Sequence, residues 1–306
     1  MASESAAVAV EASPAGLPGR AARAPAAAIA FGLLGVVGFS FSLPATRLAV
    51  ADLNPWFVAF GRAAAAGGLS AALLVAVRAP RPTRAQLRSL AIVALGVVVG
   101  FPIFTSLALE DRTSAHGAVV IGVLPVATAL WAVARGGERH SARFWLAALA
   151  GMAAVIVFAA TAGAGGFQLS DGYLLAAVAL GGLGYAEGGR LARDLGGART
   201  ICWALVVALP VTVPVTAAAA AGGLHAGGDA WFGFAYVAVV SMWLGFFAWY
   251  AGLARGGVAR IGQIQLAQPV LTLGWAALLL GEAVSAATVA AALVVLACVV
   301  ATQRAR

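Results

Sequence analysis

Ten apolar stretches follow one another along the chain, near residues 26–46, 56–77, 89–109, 114–134, 144–162, 172–189, 200–221, 231–253, 261–280 and 284–302. Each approaches the ~20 residues that a helix needs to cross about 30 Å of hydrocarbon. Hydrophobicity runs through each stretch without alternating, which selects helices over the strands of a membrane barrel. Only 10% of the residues are charged and 62% are hydrophobic. Soluble domains carry roughly a quarter charged residues, so this chain cannot make a water-facing surface of its size. The expected fold class is an all-α integral membrane protein with ten transmembrane helices.

Charge then sets the orientation. All 19 basic residues are Arg. Arg20 and Arg23 precede the first stretch, Arg78, Arg81, Arg84 and Arg88 follow the second, and Arg135, Arg139 and Arg143 follow the fourth. Arg190, Arg193 and Arg199 follow the sixth, Arg255 and Arg260 the eighth, and Arg304 and Arg306 the last. The opposite set of loops holds only Arg47 and Arg112. Under the positive-inside rule both termini are expected in the cytoplasm. The net charge of +8 is thereby a topology signal and calls for no nucleic acid.

The chain also repeats itself. HGAVVIGVLPVATALWAVARGGE at 116–138 and RIGQIQLAQPVLTLGWAALLLGE at 260–282 share Pro125/Pro269, Thr128/Thr272, Trp131/Trp275 and Glu138/Glu282 in one register. With one gap allowed, Gly100 answers Gly245. Five helices per repeat is an odd number, so the second half is expected to enter the membrane inverted. Glu138 then lies on the cytoplasmic side and Glu282 on the outer side. Inverted repeats can present a midplane site to either face in turn, which points to a transporter. The expected domains are a disordered cytoplasmic tail at 1–25, a first repeat at 26–162 and a second at 163–306.

Other signals exclude functions. Residues 1–25 are rich in Ala, Ser and Pro and are interrupted by Glu4 and Glu11, so a cleaved signal peptide is not expected. No phosphate-binding loop ending in Lys is possible without Lys, and neither an HExxH zinc motif nor a GxSxG elbow occurs. Cys202 and Cys298 lie inside apolar stretches without metal-ligand spacing. No enzyme, cofactor, metal or nucleotide is expected. Heavy use of Ala, Gly and Arg fits a bacterial cytoplasmic (inner) membrane.

Three passages carry a resemblance: FSFSLPATRLA at 39–49, NPWFVAFGRAAAAG at 54–67 and FFAWYAGLARGGVARIGQIQLAQPVLTLGWAALLLGE at 246–282. With the proline in the fourth helix of each repeat, they resemble the EamA type of the drug/metabolite transporter superfamily, over about 28–303. Within it the chain looks most similar to bacterial amino-acid exporters of the YddG type. That resemblance implies export of aromatic and other neutral amino acids through a midplane cavity, by a monomer whose partners are substrate and lipid bilayer. A multidrug or other metabolite exporter keeps the fold and changes the cavity; a non-transporting scaffold would carry no solute.

An amino acid needs an acceptor for its ammonium, a donor for its carboxylate and apolar walls. Gln265, Gln268 and Thr272 share one face of the ninth helix, with Gln263 on another. Pro269 and, in the first repeat, Pro125 are expected to kink their helices and free a carbonyl. The polar face then receives substrate or bonds a neighbouring helix. Ser42, beside Ser40 and ahead of Pro44, has the same two readings. Phe101, Tyr185 and Trp249 offer an aromatic wall, or packing. Arg62, roughly 10 Å below the outer surface, either snorkels towards carbonyls and Asp52 or joins the pathway. Glu187 pairs with Arg190 or carries protons. His116, at the outer mouth, is solvated or relays a proton. Gly96 with Gly100 and Gly184 with Gly188 form GxxxG pairs for close helix packing.

Overall fold

A computed structural model describes residues 19–136, 141–161, 167–256, 261–262 and 264–304. Among the described residues, eight helices are long and apolar enough to cross a membrane. They are span 1 (Ala26–Asp52), span 2 (Pro55–Ala76), span 3 (Arg84–Asp111), span 4 (Ser114–Ala134), span 5 (Ala142–Thr161), span 6 (Leu169–Leu195), span 7 (Gly197–Ala220) and span 8 (Gly228–Gly256). Two shorter apolar helices, span 9 (Ile264–Leu280) and span 10 (Ala286–Ala301), complete the ten stretches read from the sequence. The first helix already begins at Gly19, inside the expected tail. Residues 1–18 and the loop residues Glu138, Arg139, His140, Arg260 and Gln263 lie outside the described set.

Short polar signals start the helices. Asn54 accepts from the Trp56 amide at 2.9 Å ahead of Pro55, which needs no donor in a first turn. Thr83 and Gln86 form a reciprocal capping box before span 3. Thr113 accepts from the His116 amide at 3.1 Å before span 4. Gly196, at φ 83°, turns span 6 into span 7, and Gly281, at φ 63°, closes span 9.

Packing follows the duplication. Spans 2 and 7, 4 and 9, and 5 and 10 pair with their own repeat counterparts. Span 1 packs on span 8 just as its counterpart, span 6, packs on span 3. Both exchanged pairs approach closely through glycine. A Cβ on Gly96 would stand 2.6 Å from the Gly184 amide nitrogen, and one on Gly252 2.9 Å from that of Gly32. Each GxxxG pair is thus a close-packing surface, with Gly188 facing the Tyr250 hydroxyl. Even the repeated tryptophans do one job. The Trp131 indole donates to the Ala179 carbonyl at 2.8 Å, tying span 4 to span 6, and the Trp275 indole to the Ser40 hydroxyl at 3.0 Å, tying span 9 to span 1. Glu282, at the end of span 9, caps the start of span 4 by accepting from the Ser114 and Ala115 amides at 2.9 and 2.8 Å. A carboxylate there suits the helix dipole, and the contact lays the two counterparts antiparallel.

Five of the spans depart from a plain α-helix. Span 1 breaks at Phe41, between Gly19–Ser40 and Ser42–Asp52. Span 4 breaks after Ile121 and resumes at Leu124, and span 9 opens with a 3-10 turn at Ile264–Leu266. Pro125 and Pro269 therefore sit in the first turn of a restarted helix, where a missing N–H costs little, rather than mid-helix as the kink reading placed them. Spans 3 and 8 contain π-helical segments, Ala94–Gly100 and Tyr236–Leu244. They overlap when the repeats are aligned on Gly100 and Gly245. Such wide turns are rare and concentrate at functional sites.

Candidate functional site

The irregular stretches surround a narrow cavity of about 30 Å³ between the repeats. Span 1 supplies Phe39, Ser42 and Leu43 from either side of its break. The π segments supply Val97, Ser241 and Met242, with Phe101 directly after the first and Phe246 one residue beyond the second. Arg62, Tyr185 and Gln268 complete the lining. All of these residues are buried except Phe101, which is half-buried, so the cavity is shut off from both ends of the helix bundle. A smaller space of about 10 Å³ shares Leu43 and Gln268 with it and is lined further by Gln265, Pro125, Pro269 and Thr272. Pro125 and Pro269 thus meet at the interface of spans 4 and 9.

One wall is aromatic. Phe39 lies with ring centroids 4.9 Å from Phe246 and 6.4 Å from Tyr185. Behind them Trp249, fully buried, stands 5.7 Å from Tyr185 and packs against span 1 at Gly35. Trp249 supports the wall without lining the cavity. The polar atoms are on other walls. Ser42 and Ser241 share a hydrogen bond of 2.7 Å across spans 1 and 8. Ser40 instead donates to the Val37 carbonyl at 2.8 Å, and Thr272 donates to the Ser40 and Gln268 carbonyls at 2.6 and 2.9 Å. Thr272 and Ser40 therefore fasten span 9 to the break in span 1.

Two groups among the cavity-lining residues stay unpaired. The Arg62 Nε atom and the Gln268 Oε1 atom are buried with no hydrogen-bond partner among the described residues. Arg62 is only 3% exposed and does not reach Asp52, whose carboxylate accepts from the Gly227 amide at 2.8 Å. Buried polar groups ordinarily have a hydrogen-bond partner, so the Arg62 Nε atom is an exception.

The remaining charged candidates lie elsewhere. Glu187 is buried near the arginine-rich end and accepts from Arg190 at 2.5 Å. It does not line the cavity. His116 is not solvated: its Nε2 is 2.7 Å from Asp171, and its ring lies 4.9 Å from Phe158. Asp171 also holds Arg112 and accepts from the Gln168 amide at 2.9 Å. This buried cluster ties the turn between spans 3 and 4 to the start of span 6. The apolar stretch drawn from residue 172 stops one residue short of Asp171. The Gln168-to-Asp171 spacing of a capping box was the signal that could have included it. Among the described residues no group of His, Cys, Asp and Glu could hold a metal ion.

Ten helices in two interlocked repeats, closed around a small amphipathic cavity, define a membrane transporter of the drug/metabolite kind. The profile of the EamA-like transporter family matches residues 26–160 and again 168–302, and the chain belongs to that family. A Bacillus subtilis (strain 168) protein described as uncharacterized transporter YdeK is 47% identical over 274 residues, covering 89% of this chain and 96% of its own. A crystal structure with 19% sequence identity superposes with a TM-score of 0.61 over 90% of this chain and 96% of its own, a likeness of fold.

Proposed function

We propose that this transporter exports small metabolites, aromatic and other neutral amino acids first among them, by alternating access of the cavity between its inverted repeats. The carrying observation is the cavity itself. Its lining joins the rings of Phe39, Phe246 and Tyr185 to the polar ends of Arg62 and Gln268, the apolar-wall and polar-anchor combination of small-molecule sites, and the space must widen to admit a substrate. An aromatic side chain fits the first wall and a charged or hydrogen-bonding headgroup the second. Symmetry-related span pairs (1 with 8, 6 with 3) give the halves two equivalent ways to lean on each other, which is what alternating access exchanges. No acid is among the residues lining the cavity, which favours this reading over a pump for cationic drugs.

Uptake of a labelled amino-acid panel into proteoliposomes, with and without a pH gradient, tests the proposal. Saturable flux of aromatic or neutral species is the expected result. No flux from folded protein across the panel and a set of cationic drugs would leave the scaffold reading. The orientation has its own check. Cysteines engineered at 78–88 or 135–143 are expected to resist membrane-impermeant thiol reagents in intact cells, and ready labelling there would invert the topology.

A further inference from the structure

Resting on the transport reading, the cavity chemistry says which end of the substrate is recognised. Arg62 is the one charged residue among those lining the cavity, and its guanidinium has neither an ion pair nor a hydrogen bond among the described residues. Its Nε atom is buried, so bulk water does not replace the missing partner. A positive group inside a membrane is ordinarily paired, and the groups that commonly do so are absent here: Asp52 is engaged by Gly227, and Asp171 by Arg112 and His116. A planar guanidinium presents donors in a fork that fits a carboxylate. By contrast, the lining offers an ammonium group no acid, only aromatic ring faces and neutral oxygens: Gln268 Oε1, the Tyr185 phenol and the two mutually bonded serine hydroxyls.

We infer that the cavity selects amphipathic monocarboxylates, with Arg62 as the anchor of the carboxylate and the Phe39–Tyr185–Phe246 wall as the seat of an apolar or aromatic tail. The α-ammonium of an amino acid is tolerated, through Gln268, and is not required. A carboxylate with no amino group is therefore a substrate of the same site, whereas an amine with no carboxylate is not.

The test compares phenylalanine with three relatives: 3-phenylpropionate, which lacks the amine; phenylalaninamide, which lacks the charge of the acid; and phenethylamine, which lacks the acid. Two readouts are taken on purified full-length protein: thermal stabilisation in detergent by each compound, and competition against labelled phenylalanine flux in proteoliposomes. The expected order places 3-phenylpropionate with phenylalanine, and phenylalaninamide and phenethylamine weaker by about ten- to hundredfold, the worth of a charged hydrogen-bonded contact. In Arg62→Gln the preference is expected to collapse, and in Arg62→Lys to survive in part. If Arg62→Gln fails to fold, the compound series on the unaltered protein still decides. Equal action of phenethylamine and 3-phenylpropionate overturns the inference, as does failure of 3-phenylpropionate where phenylalanine succeeds. Carboxylate-selective stabilisation without flux keeps the inference and removes the transport reading. Flux without carboxylate preference does the reverse, and no response in either readout removes both.

Discussion

Two buried polar clusters lie along the protein, and they are finished differently. At the end bearing Glu282, Asp171 holds Arg112 and His116 while also capping span 6, so its carboxylate is fully used, although the Arg112 Nε atom has no partner of its own among the described residues. In the central cavity Arg62 and Gln268 keep polar atoms that nothing described completes. Buried charge that is paired acts as a fastener, and breaking it costs more than it contributed. Buried charge left open is expensive unless something else completes it. The first cluster is therefore assigned to holding helices together and the second to meeting a ligand.

The largest effect that separates them is at Asp171. Asp171→Ala strands Arg112 and is expected to cost about 3–5 kcal/mol, seen as a lower unfolding temperature in detergent and loss of protein from the membrane. Flux per surviving molecule should change little. Full abundance with abolished flux would make the cluster part of the pathway. Gln268→Ala should do the opposite, lowering flux by about tenfold for one hydrogen bond while membrane abundance holds. A parallel fall in protein and activity would mean that Gln268 serves packing. The smallest effect is at Glu187, whose partner Arg190 is more than half exposed. Glu187→Gln is expected to change stability by no more than about 1 kcal/mol and to spare neutral amino acids. A selective loss of cation export in that variant would restore the drug-pump alternative.

The fold was legible because bilayer thickness writes its length directly into each apolar run. The Pro125/Pro269 register then showed that the runs come in two sets. The site was legible in part, for reasons that differ residue by residue. Ser42, Arg62, Phe101, Tyr185 and Gln268 stand out in the sequence as polar or aromatic residues of apolar runs, and all five line the cavity. Trp249 and Gln265 stand out on the same grounds but lie behind the wall and in the adjoining space. Ser241 and Met242 stand on no helical face legible in the sequence. They belong to a π segment, where the period exceeds 3.6 residues and a helical face read from sequence drifts off true. Pairing across long sequence separations, as between Glu282 and Ser114 or Asp171 and His116, has no local sequence mark.

Those π segments also carry a record of ancestry. Two unrelated insertions would have no reason to land at Gly100 in one half and beside its counterpart Gly245 in the other, each glycine followed by a phenylalanine that lines the cavity. A single-repeat ancestor that already had the wide turn explains both. In that ancestor two copies of the chain, inserted in opposite senses, would each have brought one wide turn to a shared pore. Held in one polypeptide, the two halves are free to differ, as Leu124 and its counterpart Gln268 do.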